Sequence, residues 1–410
     1  RLQKTPHTPI DHRVSRTDPS AEKLLRQVLH HPDFHSRLAP MVTGEGSIVL
    51  DHCANAAHAF VSSLICKAIH EVRKSSVWLI SDLPRQRERL AAEMELWGLD
   101  PLVLPDATID QKSETAPDPE SVAEWYAILH ALTQPKPSIV ICDSEAFGQA
   151  CPSPATLVSA RIVLKVGGTL DPAAFANSLA SHQYERMPTV SGRGQFALRG
   201  GIIDVFPWQA VAPLRIEFFD DEIESIREFD IDNQASTRKL DATDIAISEP
   251  SSDATLADYR KANDVAISVD AMIDNPAVSI LEGARCGYGE EDFSLAVYPS
   301  PLGVFEAGDF ILDEIRREQF FQQLNTWRRE EWTVAIVFAN QGEQDRFEEL
   351  SGKDLDRDLG IMPLRGELMA GFTLPFARIA VLSSSELFGR YRTAAAKRRS
   401  ILDRTRHITS

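Results

Sequence analysis

The first candidate for chemistry is a glycine-rich turn, Thr43-Gly44-Glu45-Gly46-Ser47, which precedes a long apolar stretch. A phosphate-binding loop has the pattern G-x4-G-K-[ST], in which backbone amides and a helix N-terminus hold the phosphates while the lysine neutralises them. The turn supplies Gly44, Gly46 and Ser47, but the first lysine after them is Lys67, about five helical turns later. The sequence therefore predicts a degenerate nucleotide loop, with the shape of a phosphate site but without its charge.

Other catalytic patterns are weaker still. Asp143 follows the apolar run Ile139–Cys142, where an NTP-hydrolysing enzyme would carry a Mg2+-binding aspartate. Without a lysine-bearing loop opposite, we interpret Asp143 as a turn or helix cap. No G-x-S-x-G nucleophile elbow occurs, and the five cysteines are scattered without a C-x-x-C pair. The sequence predicts no catalytic residue, no metal site and no cofactor in this chain.

Protein recognition is the chemistry predicted for the middle of the chain. In the segment 214–219, Arg215, Glu217 and Phe219 alternate with apolar residues, so one face of a strand shows a cation, an anion and an aromatic ring. Such residues on an open sheet face are typical of binding hot spots, although a solvated face with one stray phenylalanine is the alternative. Because Arg215 points away from the apolar face, we expect its reversal to glutamate to weaken binding and to leave stability almost unchanged.

A second strand-like segment ends at Arg199, which is followed by a glycine pair. Glycines carry no side chain, so their backbone lets another surface approach closely. The predicted partner-binding residues are Arg199, Gly200, Gly201, Arg215, Glu217 and Phe219.

The elements that must position these residues follow two patterns. Short apolar runs alternate with helical patterns from about residue 20 to 158, with Ser47–Val72 predicted as one long helix, and this indicates a parallel α/β sheet. From about 159 to 247, alternation of period two with tight acidic turns indicates a mainly antiparallel α+β domain. The α/β pattern returns after residue 309.

Composition narrows the class of protein. The chain has 410 residues and a formal net charge of −17, from 43 Lys and Arg against 60 Asp and Glu. This balance argues against broad binding to a phosphate backbone, which needs clustered positive charge. No apolar run approaches the roughly 18–20 residues of a membrane span. The sequence is expected to be that of a soluble cytoplasmic protein.

A long collinear motif carries a family resemblance. The block Gly194-Gln-Phe-Ala-Leu-Arg-Gly-Gly-Ile-Ile-Asp-Val-Phe-Pro207, with the strand pair at 214–229 behind it, resembles the bacterial transcription-repair coupling factors (Mfd). In that family the region is homologous to the UvrA-binding domain of the excinuclease subunit UvrB. Shorter similarities are Val166-Gly167, Phe293-Ser294-Leu295 and Ser384–Arg390, so the resemblance extends over nearly the whole chain.

The resemblance implies a UvrB-like parallel α/β domain with an inserted, mainly antiparallel UvrA-binding domain, followed by a small α/β module. The expected divisions are an arm at 1–19, the degenerate nucleotide-loop domain at 20–158, the UvrA-interaction domain at 159–247, the remainder of the UvrB-like domain at 248–308, a small α/β domain at 309–388 and a basic linker at 389–410.

The implied function is recruitment of UvrA in transcription-coupled nucleotide excision repair, together with autoregulation when another domain covers the UvrA-binding face. This chain is expected to be non-catalytic. ATP, Mg2+, RNA polymerase and duplex DNA would bind through the motor and polymerase-binding domains of a longer parent. Two alternatives stay open: a UvrB-like ATP-dependent DNA-repair enzyme, or a stand-alone UvrA-binding protein. The seven cations near the chain end suit a DNA contact or a linker equally.

Overall fold

The structure is a computed structural model that describes residues 18–44, 46–105, 119–159, 161–182, 184–208, 210, 212–246, 253–283, 292–300, 310 and 313–388.

The first part of the chain alternates helices with short buried strands. Its helices are α1 (Pro19–Leu29), α2 (Pro32–Thr43), α3 (His58–Val72), α4 (Pro84–Leu96), α5 (Pro119–Thr133) and α6 (Pro154–Ser159). Its strands are β1 (Ile48–Cys53), β2 (Val77–Ile80), β3 (Leu102–Val103), β4 (Ile139–Cys142) and β5 (Ala150–Cys151).

The middle part is built of strands, with one helix, α7 (Pro172–Ser181). The strands are β6 (Arg161–Lys165), β7 (Glu185–Arg186), β8 (Gln195–Arg199), β9 (Ile202–Phe206), β10 (Leu214–Phe219), β11 (Glu222–Phe229), β12 (Ser236–Leu240) and β13 (Ala242–Ala246).

The last part returns to mixed α/β structure. Its strands are β14 (Ala254–Thr255), β15 (Val265–Val269), β16 (Val278–Ile280), β17 (Asp292–Pro299), β18 (Thr333–Phe338), β19 (Ile361–Arg365), β20 (Phe372–Leu374) and β21 (Ile379–Ser383). Its helices are α8 (Glu314–Arg329), α9 (Gln341–Ser351) and α10 (Ser384–Phe388).

One large sheet joins the first and last parts of the chain. Its eleven strands run in the order β19-β18-β21-β20-β17-β1-β16-β15-β2-β4-β3. The strands from β17 to β3 in this order are all parallel, whereas β20 is antiparallel to both of its neighbours. Strands of the segment 309–388 thus extend the same sheet. Val337, Phe372 and Val381 of this segment share one apolar core with Leu50 and Phe60 of the first part of the chain.

The prediction of a single long helix over Ser47–Val72 is wrong. The segment forms β1, then a short 3-10 turn at Asn55–Ala57, and only then α3. β1 lies in the middle of the large sheet. Its apolar start, Ile48-Val49-Leu50, is too short to have a periodicity that would distinguish a strand from the start of a buried helix.

The middle part forms a separate six-stranded sheet in the order β12-β11-β10-β9-β8-β7. Neighbouring strands are antiparallel except β7 and β8. The predicted apolar face of β10 is confirmed, because Leu214, Ile216 and Phe218 are all buried and pack with Phe175 and Leu179 of α7. The chain is therefore a multi-domain α/β structure with a large mixed sheet and separate antiparallel sheets.

Candidate partner-binding face

The six-stranded sheet has an outer face, which is its side opposite α7. Residues directly across an antiparallel ladder lie on the same face, so the strand register places the outward side chains in rows. The first row crosses β8, β9, β10 and β11 at Ala197, Asp204, Arg215 and Arg227. The second row crosses the same strands at Arg199, Ile202, Glu217 and Ser225.

A buried carboxylate lies at the centre of the outer face. Asp204 is only 1% exposed and accepts hydrogen bonds from two arginines. Arg215 donates from Nε to Oδ1 at 2.7 Å and from Nη2 to Oδ2 at 2.9 Å, which is the paired arrangement that suits guanidinium and carboxylate best. Arg199 donates from Nη2 to Oδ2 at 2.8 Å. Desolvation of Asp204 is therefore offset by two cations at the same site.

Arg215 is fixed by further contacts within its own sheet. Its guanidinium lies 4.6 Å from the centre of the Phe229 ring, and its Nη1 and Nη2 donate to the backbone and side-chain oxygens of Gln234. Hydrogen bonding to Asp204 raises the pKa of Arg215 further above its ordinary value. The premise that Arg215 has no part in the fold does not hold, because it pairs with the buried Asp204. A glutamate there would oppose that carboxylate, and we expect its reversal to lower stability as well.

Glu217 is also paired within the sheet. One carboxylate oxygen, Oε2, accepts from Arg227 Nη2 at 2.6 Å and from the Ser225 hydroxyl at 2.7 Å. Directly opposite cations such as Arg215 and Arg227 repel each other across a ladder. Asp204 beside Arg215 and Glu217 beside Arg227 compensate this repulsion. Among the predicted residues, Glu217 is therefore part of the internal charge balance of the face.

Phe219 is the exposed aromatic residue of this face. It is 72% exposed at the end of β10, next to the turn at Asp220, which has a left-handed φ of 53°. Its neighbour Phe218 points inward and is 8% exposed. Alternation thus places one phenylalanine in the core and leaves the other uncovered. A large exposed ring beside polar groups is typical of a protein-binding surface.

The glycine pair shapes the adjacent turn between β8 and β9. Gly200 has a φ of 58°, a conformation that residues with a side chain rarely adopt. At Gly201, a Cβ would lie 2.9 Å from the backbone oxygen of Phe218, and the Gly201 oxygen accepts the Phe218 N–H at 2.8 Å. Because Gly201 has no side chain, β10 of the same sheet packs closely against this turn. The turn therefore lies beside Phe219.

Loops cover the other end of the outer face. Val190, Ala197, Phe206 and Phe229 form a small buried cluster there, with Ile231 packed against it. At the opposite end of the outer face, Arg199, Phe219 and the Glu217–Arg227 pair remain accessible. We call this accessible part, defined by those four residues, the open end.

Two of the residues that organise the face, Asp204 and Arg227, were not predicted from the sequence. Asp204 interrupts the apolar segment Ile202–Phe206, and a charged residue at a buried position usually has a charged partner. That signal could have identified it, although the partner itself could not have been read from the sequence.

The predicted nucleotide loop lies elsewhere, in the large sheet. Gly44 ends α2 with a φ of 88°, and its N–H points back to Met41 and Pro40 of that helix. Gly46 and Ser47 then lead into β1, so the turn precedes a strand instead of a helix. Ligands of parallel α/β sheets bind beyond the carboxyl ends of the strands, where helices begin. The prediction that this turn has the shape of a phosphate loop is wrong, because it lies at the opposite end of β1.

The carboxyl end of β1 is filled by the chain's own side chains. His58 begins α3, is fully buried, and has Nε2 3.1 Å from the Cys53 oxygen and Nδ1 2.9 Å from the Gln86 amide nitrogen. Burial lowers the pKa of His58, so the neutral imidazole donates to Cys53 and accepts from Gln86. Asp270 Oδ2 lies 3.5 Å from Nδ1, which adds negative charge where a phosphate would need positive charge.

Asp143 has the capping role expected of it. Its Oδ1 accepts the Ala146 N–H at 2.7 Å, and its Oδ2 lies 3.6 Å from Arg87. Among the residues that the structure describes, no cluster of three or more His, Cys, Asp or Glu side chains suitable for a metal ion is found. None of the described helices combines the length and apolar character of a membrane span.

Comparisons with known proteins point to the six-stranded sheet. Residues 162–249 match the family model of the UvrB interaction domain. The transcription-repair-coupling factor of Bacillus subtilis (strain 168) is 35% identical over 127 residues, which are 31% of this chain and 11% of that protein. The transcription-repair-coupling factor of Staphylococcus aureus (strain bovine RF122 / ET3-1) is 38% identical over 127 residues, which are again 31% of this chain and 11% of that protein. The resemblance seen in the sequence is confirmed, over a stretch that spans 11% of the length of these relatives.

Proposed function

We propose that this chain recruits UvrA through the open end of the outer face, as part of a transcription-repair coupling factor. The observation that carries the proposal is the exposed Phe219 at the end of β10, against the turn that follows Arg199, within the segment that matches the UvrB interaction domain. An exposed aromatic ring and an arginine with unused donors on the same sheet face are the composition of a binding hot spot. Gly200 and Gly201 form the turn beside Phe219 and carry no side chains. A flat partner surface can therefore reach the ring.

The wider role follows from the relatives. A UvrB-like arrangement, in which the parallel sheet carries the UvrA-interaction domain as an insertion, agrees with the position of residues 161–246 between strands of the large sheet. In transcription-coupled nucleotide excision repair, such a chain would bring UvrA to a lesion, while RNA polymerase and duplex DNA bind other domains of a longer parent. When another domain of that parent covers the open end, UvrA binding is restrained.

A non-catalytic role is favoured over the UvrB-like ATP-dependent enzyme. The start of α3, where a nucleotide phosphate would bind, contains the buried His58 and its hydrogen bonds to Cys53 and Gln86. Asp270 adds negative charge at this position. Phosphate binding at a helix N-terminus depends on free amides and nearby positive charge.

The test is binding of purified UvrA to the whole chain, measured by isothermal titration together with a thermal melt. Phe219→Ala should weaken binding by about tenfold or more, as expected for an aromatic hot spot. Its melting temperature should be unchanged, because the ring is 72% exposed and supports little of the core. The matched control is Val163→Ala, since Val163 is 74% exposed in the same part of the chain but lies on β6. Equal binding by Phe219→Ala and Val163→Ala would refute the proposed surface.

A further inference from the structure

We propose that Asp204 is a positioning residue for partner recognition, and that Arg199, rather than Arg215, presents its guanidinium to a carboxylate of the partner. This assignment rests on the proposed function and specifies the partner chemistry of the same face. It gives the two arginines different roles and places the partner contact on Arg199, for which the sequence leaves open a role in a turn inside the domain.

The first step is the occupation of Arg215. A guanidinium has five N–H groups, and in Arg215 two bind Asp204 while two more contact Gln234. The flat side of the group lies against Phe229, and the side chain is 19% exposed. One N–H remains, so a paired contact with a partner carboxylate would require Arg215 to leave hydrogen bonds on which the buried Asp204 depends. Arg215 is therefore a structural part of the face.

The second step is the availability of Arg199. Its side chain is 52% exposed, and within the described residues its one hydrogen bond runs from Nη2 to Asp204. That bond uses Nη2, and the described residues supply no hydrogen bond to its Nε or Nη1 donors. A guanidinium fixed in advance loses less side-chain entropy when it binds a carboxylate. Asp204 thus prepares Arg199 for binding without contacting the partner.

The third step is charge. Asp204 carries one negative charge and faces two arginines, so this cluster has one positive charge in excess. The neighbouring Glu217 is compensated by Arg227. The excess charge therefore lies at the exposed end of the cluster, on Arg199. A complementary partner presents one carboxylate to Arg199 and an apolar recess to Phe219, and it needs no second carboxylate for Arg215.

The experiment is a pair of double-mutant cycles on UvrA affinity, using the whole chain. Arg199→Gln alone should weaken binding by about tenfold or more. Asp204→Asn should weaken binding severalfold in the wild-type background, because it removes the carboxylate charge that holds Arg199. Arg215→Gln should do the same indirectly, because Asp204 loses the paired hydrogen bonds that fix its carboxylate and so no longer positions Arg199. In the Arg199→Gln background, either change should weaken binding by less than about twofold.

Stability is controlled with Asp244→Asn. Asp244 pairs with Arg161 at 2.6 Å in the same part of the chain but on β13 and β6, so this variant loses an ion pair without touching the outer face. It should keep full UvrA affinity. If the thermal melt shows that Asp204→Asn fails to fold, the double-mutant cycle with Arg215→Gln tests the assignment by itself.

The outcomes are distinct. Losses that are the same with and without Arg199 would show that Arg215 contacts UvrA directly, and would overturn the assignment. Strongly non-additive losses support it. Absence of UvrA binding by the unsubstituted chain would refute the proposed function and this assignment together, whereas binding with additive losses would refute the assignment alone.

Discussion

Replacing Glu93 by glutamine should make the stability of this chain less dependent on pH between about 5 and 8. Glu93 lies on the buried side of α4 and is 2% exposed. Its Oε1 accepts the Met369 N–H at 3.0 Å, whereas its Oε2 is buried without a hydrogen-bond partner among the described residues. Burial raises the pKa of Glu93 to about 7, against the smaller opposing effect of Arg89.

The direction of the effect follows from proton binding. In the unfolded chain a glutamate has a pKa of about 4.3, so at intermediate pH the folded chain retains a proton that the unfolded chain has released. The stabilisation by this proton is fully present below pH 4.3 or so, and it is lost as the pH rises through about 7. At about 1.36 kcal/mol per pH unit, the loss at pH 8 is on the order of 3 kcal/mol. A glutamine keeps the acceptor for Met369 and has no charge to titrate.

The assay is urea unfolding of the wild type and Glu93→Gln at pH 5, 6, 7 and 8. The difference in unfolding free energy between the two should shift in favour of Glu93→Gln by about 2–3 kcal/mol from pH 5 to pH 8. Any constant cost of burying the amide cancels in this comparison. Glu386, whose pKa burial also raises to about 7, remains in both chains and contributes equally.

The matched control is Glu88→Gln, since Glu88 lies on the same helix but is exposed. Its unfolding free energy should follow that of the wild type at every pH. Parallel curves for the wild type and Glu93→Gln would refute the reasoning, because they would show that Glu93 ionises in the folded chain as readily as in the unfolded one.

Three further predictions concern the nucleotide site, the chain end and the sheet. Titration with MgATP should give no saturable binding, because His58 and Asp270 occupy the start of α3; a saturable isotherm would contradict this. Duplex-DNA binding should be weak, strongly salt-dependent and lost when the chain is cut after Gly389, because the net charge is −17; undiminished binding in a gel shift would refute it. Gly194→Ala should lower the melting temperature, since a Cβ there would overlap the Trp208 indole, whereas Gly148→Ala, with no atom within 4 Å, should not.

Features that depend on local periodicity could be predicted from the sequence. The alternation of Leu214, Ile216 and Phe218 identified the buried face of β10, because side chains of a strand alternate between two faces wherever the strand lies. The acidic turn after Phe219 was also predicted from the local sequence. The segment 162–249 was recognised from its long motif, which the comparison with the UvrB interaction domain confirms. The partner-binding role of its residues stays a prediction.

Other features needed the tertiary structure. The apolar character of Ser47–Val72 predicts one helix, and only the pairing of Ile48–Cys53 with β16 and β17 shows that β1 is a strand. The strands of 309–388 gave no sign in the sequence that they continue the sheet of the first part of the chain.

The roles of the two arginines were decided in the same way. The sequence pattern favours Arg215, which alternates with apolar residues along its strand, whereas Arg199 precedes a glycine pair and could also serve a turn inside the domain. The register of β9 against β10 places Asp204 directly opposite Arg215, and that of β8 against β9 brings Arg199 to the same carboxylate from one side. The sequence alone determined which side chains point outward. The pairing of strands determined which of those charges are satisfied within the protein and which remain for a partner, because an ion pair depends on distances that only the folded sheet sets.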